Sequence, residues 1–270
     1  MLSNCTIEHR WRYLITQNAR LDVSALTSGR GPRTMKTSER IARELVDFII
    51  EQDLAEGSML PVEKVLGDSL GVGRTTLREA LRLLETRGVL TIKPGPRGGP
   101  VVRHPRPEDL REALTLNLQF SDTSHRQVLE ARQAMESMLA RLAATRITDE
   151  ALERLKDTVQ MMRDNLDDHR IFLRENHRFH GSIAEAGANV VLRVFSETLM
   201  SINDGAIVGA DYDAARRSDV ADAHEAVILA LASRNPEAAD VAMRTHIVDT
   251  VAYWARTQPT QLERPVRWLS

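Results

Sequence analysis

The first regular pattern in the chain is a helical repeat of apolar positions that begins near residue 38. In "SERIARELVDFIIEQ" the apolar residues recur every three or four positions: Ile41, Leu45 and then Phe48 or Ile49. This spacing places them on one face of an amphipathic helix. Ser38 fits the residue that caps the start of such a helix. We therefore predict a first helix over this stretch.

The next stretch, "LPVEKVLGDSLGVGRTTLREALRLLETRG", combines two helical patterns with a glycine turn between them. The turn lies at Gly71 to Gly73, and Gly88 ends the second pattern. The residues of that second helix that face inward are Leu77, Leu81 and Leu84. Two short helices joined by a tight turn indicate a helix-turn-helix, whose second helix is shaped to enter the major groove of DNA.

Two β-prone segments follow the predicted helix-turn-helix. They are "VLTI" and "VVRH", and they flank the Gly/Pro-rich stretch "KPGPRGGP". Short strands around such a turn predict a two-stranded hairpin. Three helices followed by a two-stranded wing make a winged helix-turn-helix.

From Arg106 onward the pattern is helical almost to the end of the chain. The stretch "DAHEAVILALASRNPEAADVAMRTHIVDTVAYW" predicts two helices joined at "SRNP", with His224 on the apolar stripe of the first and His246 within the second. We predict a mainly α fold, a winged helix-turn-helix followed by an all-α helical bundle. The predicted parts are a flexible extension (1–36), the DNA-binding domain (37–104), the helical ligand-binding and dimerisation domain (107–258) and a tail (259–270).

Charge changes the interpretation of the third helix. The whole chain has a formal net charge of −2, which does not indicate a nucleic-acid binder. Between Arg74 and Arg106, however, eight basic residues stand against two acidic ones. Arg74, Arg78 and Arg82 recur every four residues, opposite the leucine face. Guanidinium groups in this position reach phosphates or the O6 and N7 atoms of guanine, so we predict a DNA-reading helix.

Composition restricts the class of protein. A single cysteine excludes an intrachain disulfide, and no apolar run reaches the ~18 residues of a membrane span. The N-terminus does not look like a secretory signal, so we expect a reduced, cytoplasmic protein with no membrane partner. The stretch "TSGRGPRTMK" indicates flexibility. A gene start placed too far upstream of Met35 and a DNA-touching arm using Arg30 and Arg33 remain alternatives for this extension.

The segment "LPVEKVLGDSLGVGRTTLREALRLLETRGVLTIKPGPRGGPVV" closely resembles the winged helix-turn-helix of GntR-family bacterial regulators. This chain departs from the family pattern at two positions. It has Lys64 where the family usually has Arg, and it has Gly73 where a capping Ser is common. Loss of the cap costs roughly a few tenths of a kcal/mol. The resemblance implies that the DNA-contacting positions are Lys64, Arg74, Thr75, Thr76 and Arg78, with Lys93, Pro94 and Gly95 toward the tip of the wing.

Two later segments, "LEARQAMESMLARLAA" and "ENHRFHGSIAEAGANVVL", resemble helices of the FCD ligand-binding domain of the FadR-like subfamily. That resemblance implies a divalent metal held by one Asp and three His, here at Asn176, His180, His224 and His246. Asn176 replaces the usual Asp, and His177 becomes an outward neighbour. The expected metal is Zn, with Ni or Mn as alternatives. Arg132 stands where the family often places a ligand-facing Arg.

The missing carboxylate has a chemical consequence. Three neutral imidazoles and a neutral amide leave the charge of a divalent ion uncompensated, so an anionic effector becomes a more valuable partner. The resemblances therefore imply a DNA-binding transcriptional regulator, a repressor, controlled by a carboxylate-bearing effector beside a divalent metal. The expected partners are a near-palindromic double-stranded DNA operator, a small organic acid or acyl effector and a second copy of the chain.

Three other interpretations stay open. The histidines of a metal-free pocket would serve as hydrogen-bonding groups in a regulator that responds to an acyl or lipid-like ligand. A metal-dependent enzyme is weaker, because "HEAVI" begins like the zinc-protease signature but ends in Ile228, and no phosphate loop or nucleophile elbow is seen. We predict that the chain is not an enzyme. A purely architectural DNA protein would not need a separate helical domain with inward polar residues.

Overall fold

The computed structural model describes residues 36–95, 98–207 and 212–268. Over these ranges the chain forms eleven helices and a two-stranded sheet, as the predicted fold class requires. The chain divides into two compact units, Met1–Asp109 and Leu110–Ser270. Cys5, Arg30, Arg33 and the rest of the predicted extension up to Met35 lie outside the described residues, as does Arg97. In the described ranges, no helix is both long and apolar enough to cross a membrane.

The first unit contains the three predicted helices and the wing. Its elements are α1 (Thr37–Glu51), α2 (Glu63–Leu70), α3 (Arg74–Thr86), β1 (Leu90–Lys93) and β2 (Gly99–Val102). The predicted apolar stripes form its core, in which Ile41, Leu45 and Leu77 are fully buried. The cap prediction for α1 is wrong: Lys36 occupies the N-cap position without a side-chain bond, and Ser38 is buried within the first turn.

Glycines shape the two ends of α3. Gly71 adopts a left-handed φ of 63° in the turn before the helix, and Gly73 is the N-cap with no side-chain hydrogen bond, as the sequence predicts. Gly88 follows the helix with φ +71°, and a Cβ there would lie 2.2 Å from Asp109 Oδ2. The residue at this position needs a positive φ and must have no Cβ, and only glycine satisfies both without displacing Asp109.

The wing is an antiparallel hairpin in which Leu90 lies opposite Val102 and Lys93 opposite Gly99. Further contacts anchor both of its strands. The Gly57 amide donates to the carbonyl of Val102 at 2.9 Å, and the Ile92 amide donates to Glu85 Oε1 of α3 at 3.1 Å. β1 is therefore held against α3, and β2 against the segment between α1 and α2.

The second unit is helical in the ranges that the structure describes. Its helices are α4 (Pro107–Phe120, in which the division between the units falls), α5 (His125–Ala144), α6 (Asp149–Asp164), α7 (His169–Ala186), α8 (Val190–Ile207), α9 (Ala214–Ala232), α10 (Pro236–Thr257) and α11 (Pro259–Leu262). Side chains fix several starts: Ser124 and Gln127 form a capping box for α5, and Asn235 caps α10.

Helix α5 is the centre of the bundle, since it packs against α7, α8 and α10. Large apolar side chains such as Phe172, Phe179 and Leu155 fill the core nearby with no more than 1% exposure. A polar side chain on the inner face of α5 is therefore surrounded by protein on several sides. It needs polar partners from the neighbouring helices.

The segment predicted as a tail packs against the start of α5. Leu262 and Val266 are buried. The Val266 amide donates to the carbonyl of Thr123 at 2.9 Å, and Arg126 pairs with Glu263 at 2.6 Å. The end of the chain, up to Trp268, is thus part of the bundle.

Candidate functional site

The predicted DNA contacts in the first unit are accessible to solvent. On α3, Arg74, Thr75 and Arg78 are exposed and Thr76 is half-buried, whereas the leucine face is buried. The remaining predicted contacts, all exposed, are Lys64 on α2 and Lys93, Pro94 and Gly95 in the wing. A helix with its cationic and hydroxyl groups outward can donate hydrogen bonds to phosphates and base edges.

Arg78 has an acidic partner that the sequence analysis does not predict. Its Nε donates to Glu63 Oε2 at 2.7 Å, a contact that does not use the two terminal guanidinium nitrogens. The side chains are 64% and 35% exposed, so the pair contributes little to stability. Its effect is on direction, because the bond restricts where the guanidinium of Arg78 points.

In the second unit, three predicted metal ligands meet. His180 of α7, His224 of α9 and His246 of α10 are all buried, and one ring nitrogen from each lies within 4.8 Å of those from the other two. The Nε2 atoms of His224 and His246 are 3.3 Å apart. Two imidazole nitrogens bound tetrahedrally to zinc, with bonds of ~2.0–2.1 Å, are about 3.4 Å apart.

Burial keeps two of these histidines neutral. It lowers the pKa of His224 well below its ordinary value, and the neighbouring His246 and His180 lower that pKa further. Burial also lowers the pKa of His246, to about 3. The ring of His224 stacks on Phe179 with centroids 3.8 Å apart. Neutral imidazole is the form that ligates metal, so these residues fit a divalent cation.

Helix α5 brings a buried carboxylate to the cluster that the sequence analysis missed. Glu136 is 3% exposed. Its Oε2 lies 2.6 Å from Nδ1 of His180, and its Oε1 accepts from Arg132 Nε at 2.7 Å. Burial alone would raise the pKa of Glu136, but Arg132 and His180 outweigh it and hold the pKa well below its ordinary value. The sequence does hold one indication of this contact: Glu136 lies one helical turn after Arg132, a spacing at which opposite charges on a helix can pair.

The contact with Glu136 also decides how His180 can act. Because the carboxylate engages Nδ1, Nε2 is the ring nitrogen left for a ligand. Carboxylates in this position orient metal-binding histidines and increase their basicity. Glu136 therefore places a negative charge directly beside the histidine cluster.

A cavity of about 90 Å³ adjoins the cluster. A water molecule needs roughly 10–15 Å³ of such volume, so the cavity has room for several waters or a small organic molecule. Leu129, Phe172 and Ile247 are among its apolar lining residues. The polar residues that line it include Arg132, Asn176, His180, Asn203, Tyr212 and His246.

The structure therefore brings the predicted effector residue and the predicted metal residues to one place. Arg132, Asn176, His180 and His246 line the same cavity, and His224 contacts His246 beside it. Asn176, rather than its neighbour His177, is in the lining. Three imidazoles form the cluster, Glu136 contacts one of them, and Asn176 lines the adjoining cavity. This arrangement can hold a cation and present a positive Arg132 to an anion.

Comparisons with known proteins follow the division between the units. Residues 37–98 match the family model described as bacterial regulatory proteins, gntR family. Residues 127–249 match the model described as the FCD domain. The first match covers the helix-turn-helix and the first wing strand, and it ends just before β2 begins at Gly99. The second covers Arg132, Glu136 and the three histidines.

Similar full-length proteins are also found. The chain is 31% identical over 250 residues to the HTH-type transcriptional repressor NanR of Cronobacter sakazakii, covering 86% of this chain and 91% of that protein. It is 29% identical to NanR of Citrobacter rodentium, covering 81% and 85%. Among solved structures, it is similar to a Streptococcus agalactiae GntR with 29% identity and a TM-score of 0.59, covering 79% of this chain and 98% of that one.

Proposed function

Because the chain belongs to the GntR family of bacterial regulatory proteins and carries an FCD domain, we propose that it is a repressor released from DNA by a small carboxylic acid. The observation that carries the proposal is the cavity in which Arg132 and the histidine cluster meet. The related proteins are transcription regulators rather than enzymes, in agreement with the prediction that this chain is not an enzyme.

The DNA-binding function rests on the exposed face of α3. Arg74 and Arg78 enter the major groove, while Lys64 and the wing residue Lys93 contact the backbone. One recognition helix reads too few base pairs for useful specificity. The chain therefore acts as a two-fold homodimer on a near-palindromic operator, with half-sites about one helical turn (~34–36 Å) apart.

The proposed function includes a bound divalent metal. His180, His224 and His246 would hold a divalent cation with Asn176 as the amide ligand, and imidazole-rich donor sets favour zinc, with nickel or manganese as alternatives. When bound, the cation supplies a positive centre that attracts a carboxylate. Glu136 orients His180, and Arg132 binds the effector's carboxylate from α5.

The effector is a short acid rather than a long acyl chain. The cavity has a volume of about 90 Å³, and several of its lining groups are polar. A long acyl chain would bury those polar groups without partners, which is costly. The metal-free, acyl-responsive regulator is the alternative that the experiment must distinguish.

The test combines native mass spectrometry and metal analysis of the purified protein with acid titrations in the presence and absence of a chelator. We expect a dimer, about one divalent ion per subunit, and binding of short carboxylic acids that weakens when the metal is removed. A monomer both free and on DNA would contradict the assembly. Acid binding that is unchanged without metal would contradict the metal, and binding of long acyl chains alone would support the alternative.

A further inference from the structure

One carboxylate, that of Asp109, bonds the start of α4 to the first unit. Its Oδ1 and Oδ2 accept from the two terminal guanidinium nitrogens of Arg103, each at 2.9 Å. Oδ2 also accepts from the backbone amide of Arg106 at 2.7 Å. Arg103 directly follows β2, and Asp109 lies in the first turn of α4. The carboxylate therefore joins the wing to the helix that follows it.

The fit between this carboxylate and the end of α3 is close. A Cβ at Gly88, just after α3, would lie 2.2 Å from Asp109 Oδ2. The carboxylate thus occupies the space that a side chain at Gly88 would need. The neighbouring residue holds the partner of Asp109, because the Arg103 amide donates to the carbonyl of Val89 at 2.9 Å. The first turn of α4 is therefore tied to the end of the DNA-reading helix as well as to the wing.

A second ion pair at the start of α4 is more exposed. Arg106 donates to Glu56 Oε1 at 2.9 Å, and these side chains are 58% and 46% exposed. The side chains of Arg103 and Asp109 are only 27% and 18% exposed. Water and salt screen the exposed pair more, and a bidentate pair fixes direction as well as distance. Of the two ties, the one at Asp109 is the stronger.

Helix α4 continues from Pro107 to Phe120, and the division between the units falls just after Asp109. Helices without a kink bend only gently. Fixing the first turn of α4 therefore fixes the direction in which the rest of the helix leaves the first unit. Without the bonds of Asp109, residues 103–106, which connect β2 to α4, would be free to swivel.

We propose that Asp109 is a positioning residue for operator recognition, which sets the distance between half-sites that the dimer accepts. The inference rests on the proposed function, in which two copies of the chain bind a near-palindromic operator. Moving one half-site by one base pair displaces it by about 3.4 Å and turns it by roughly a tenth of a helical turn. A reading unit fixed to α4 does not follow that movement, whereas one that swivels does.

The experiment begins with selection of binding sites from a random pool of double-stranded DNA by the full-length wild type and by Asp109→Ala. Gel shifts then compare the selected operator with versions whose half-sites are one base pair closer or farther apart. We expect this change to weaken wild-type binding about tenfold, the effect of roughly one mismatched base pair. For Asp109→Ala the loss should be about threefold or less, with the same half-site sequence selected.

Other variants show that the effect belongs to this bond. Asp109→Asn keeps an acceptor oxygen but loses the charge, so its spacing preference should be intermediate. Arg103→Met should relax the spacing as Asp109→Ala does, and the double variant should relax it no further, because both changes break one interaction. Glu112→Ala removes an exposed acidic side chain from the same helix and should keep the wild-type preference.

Melting curves show whether Asp109→Ala is folded; if it is not, Asp109→Asn and Arg103→Met provide the comparison. A folded variant with the wild-type spacing preference would overturn the inference, and so would equal relaxation in Glu112→Ala. Loss of binding at every spacing alike, or selection of a different half-site sequence, would mean that Asp109 acts on base reading, which also overturns it.

Failure of the proposed function is visible in the wild type. If the wild type selects no DNA, or only single half-sites, the dimeric operator of the proposed function fails, and this inference fails with it. If the wild type selects paired half-sites but tolerates every spacing, only the role of Asp109 is overturned.

Discussion

Two ion pairs with the same contact distance lie in different surroundings in the two units. Arg78 Nε is 2.7 Å from Glu63 Oε2 on the DNA-reading side, and Arg132 Nε is 2.7 Å from Glu136 Oε1 beside the cavity. The first pair is 64% and 35% exposed, the second 11% and 4%. Water and salt screen the first pair, whereas removing one member of the second leaves a buried charge. Distance alone therefore does not give the energy of an ion pair.

The comparison also shows two ways of using arginine. An exposed guanidinium can exchange its water for phosphate or guanine when DNA arrives, and a weak partner such as Glu63 can limit its directions beforehand. The guanidinium of Arg132 is largely shielded from bulk solvent, and it is paired with Glu136 in the unliganded structure. The first arrangement suits a surface that binds and releases DNA, and the second suits a fixed anion-binding wall.

The largest expected effect follows from breaking the buried pair. Glu136→Leu leaves Arg132 without its carboxylate and should lower the free energy of unfolding of metal-free protein by about 3–5 kcal/mol. Urea denaturation measures this change. The double variant Arg132→Met with Glu136→Leu should recover most of the loss, because it removes both charges. A loss below about 1 kcal/mol in the single variant would show that the buried pair behaves like an exposed one.

The second prediction concerns the charge at the metal. Asn176→Asp adds a carboxylate to the proposed ligand set and should tighten zinc binding by about tenfold or more, since opposite charges attract strongly at a buried site. Acid affinity of the metal-loaded variant should fall or stay level. His224→Ala should lower both metal retention and acid binding.

Metal titration of the wild type and both variants, together with melting curves, tests that second prediction. In a metal-free polar pocket, the added Asp would be an unpaired buried charge and would only lower the melting temperature. If neither the wild type nor Asn176→Asp binds a divalent ion above background, the metal proposal is wrong.

An effect of comparable size is expected on the exposed side. Arg78→Ala should weaken specific operator binding by about 1–3 kcal/mol, with fold and dimer intact. Gel shifts at two salt concentrations measure it, because contacts to phosphate and contacts to bases depend differently on salt. If Arg78→Ala binds the operator as tightly as the wild type does, α3 is not the recognition helix. Arg111→Ala, which changes an exposed arginine of α4 that is not among the predicted contacts, is the matched control.

The smallest effect is that of Glu63→Gln, which weakens the exposed pair without removing the side chain. Its free energy of unfolding should change by less than about 1 kcal/mol. Operator binding should change more than stability does, because the direction of Arg78 is no longer fixed. A stability loss as large as that of Glu136→Leu would erase the contrast between the two ion pairs.

The sequence predicted the first unit well, because its signals are local. The periodic leucines of α3, the glycine turn at Gly71 to Gly73 and the β-prone segments of the wing each depend on neighbouring residues, and the structure confirms all three. The cap of α1 was predicted wrongly. Ser38 has the right side chain for a cap, but packing buries it inside the first turn, which begins one residue earlier at Thr37.

The second unit was predicted less completely. The spacing of His180, His224 and His246, together with the family resemblance, indicated a shared site, and the structure brings their ring nitrogens together. Glu136 and Asn203 were not predicted. Asn203 lines the cavity beside the histidines. Glu136 contacts His180 and Asn203 contacts His125, each on a different helix, and a sequence does not show which distant group such a residue will meet.

By itself, the sequence determined the helices, the wing, the cationic face of α3 and the residues that resemble a metal site. These features arise from periodicity, turn chemistry and motif spacing, which act over a few residues. Only the tertiary structure decided that the Glu136 carboxylate pairs with both Arg132 and His180, that two of the histidines are kept neutral, and that one donor of Asn203 lacks a partner. Those properties depend on burial and on contacts between helices far apart in the chain, and such contacts form only when the bundle packs.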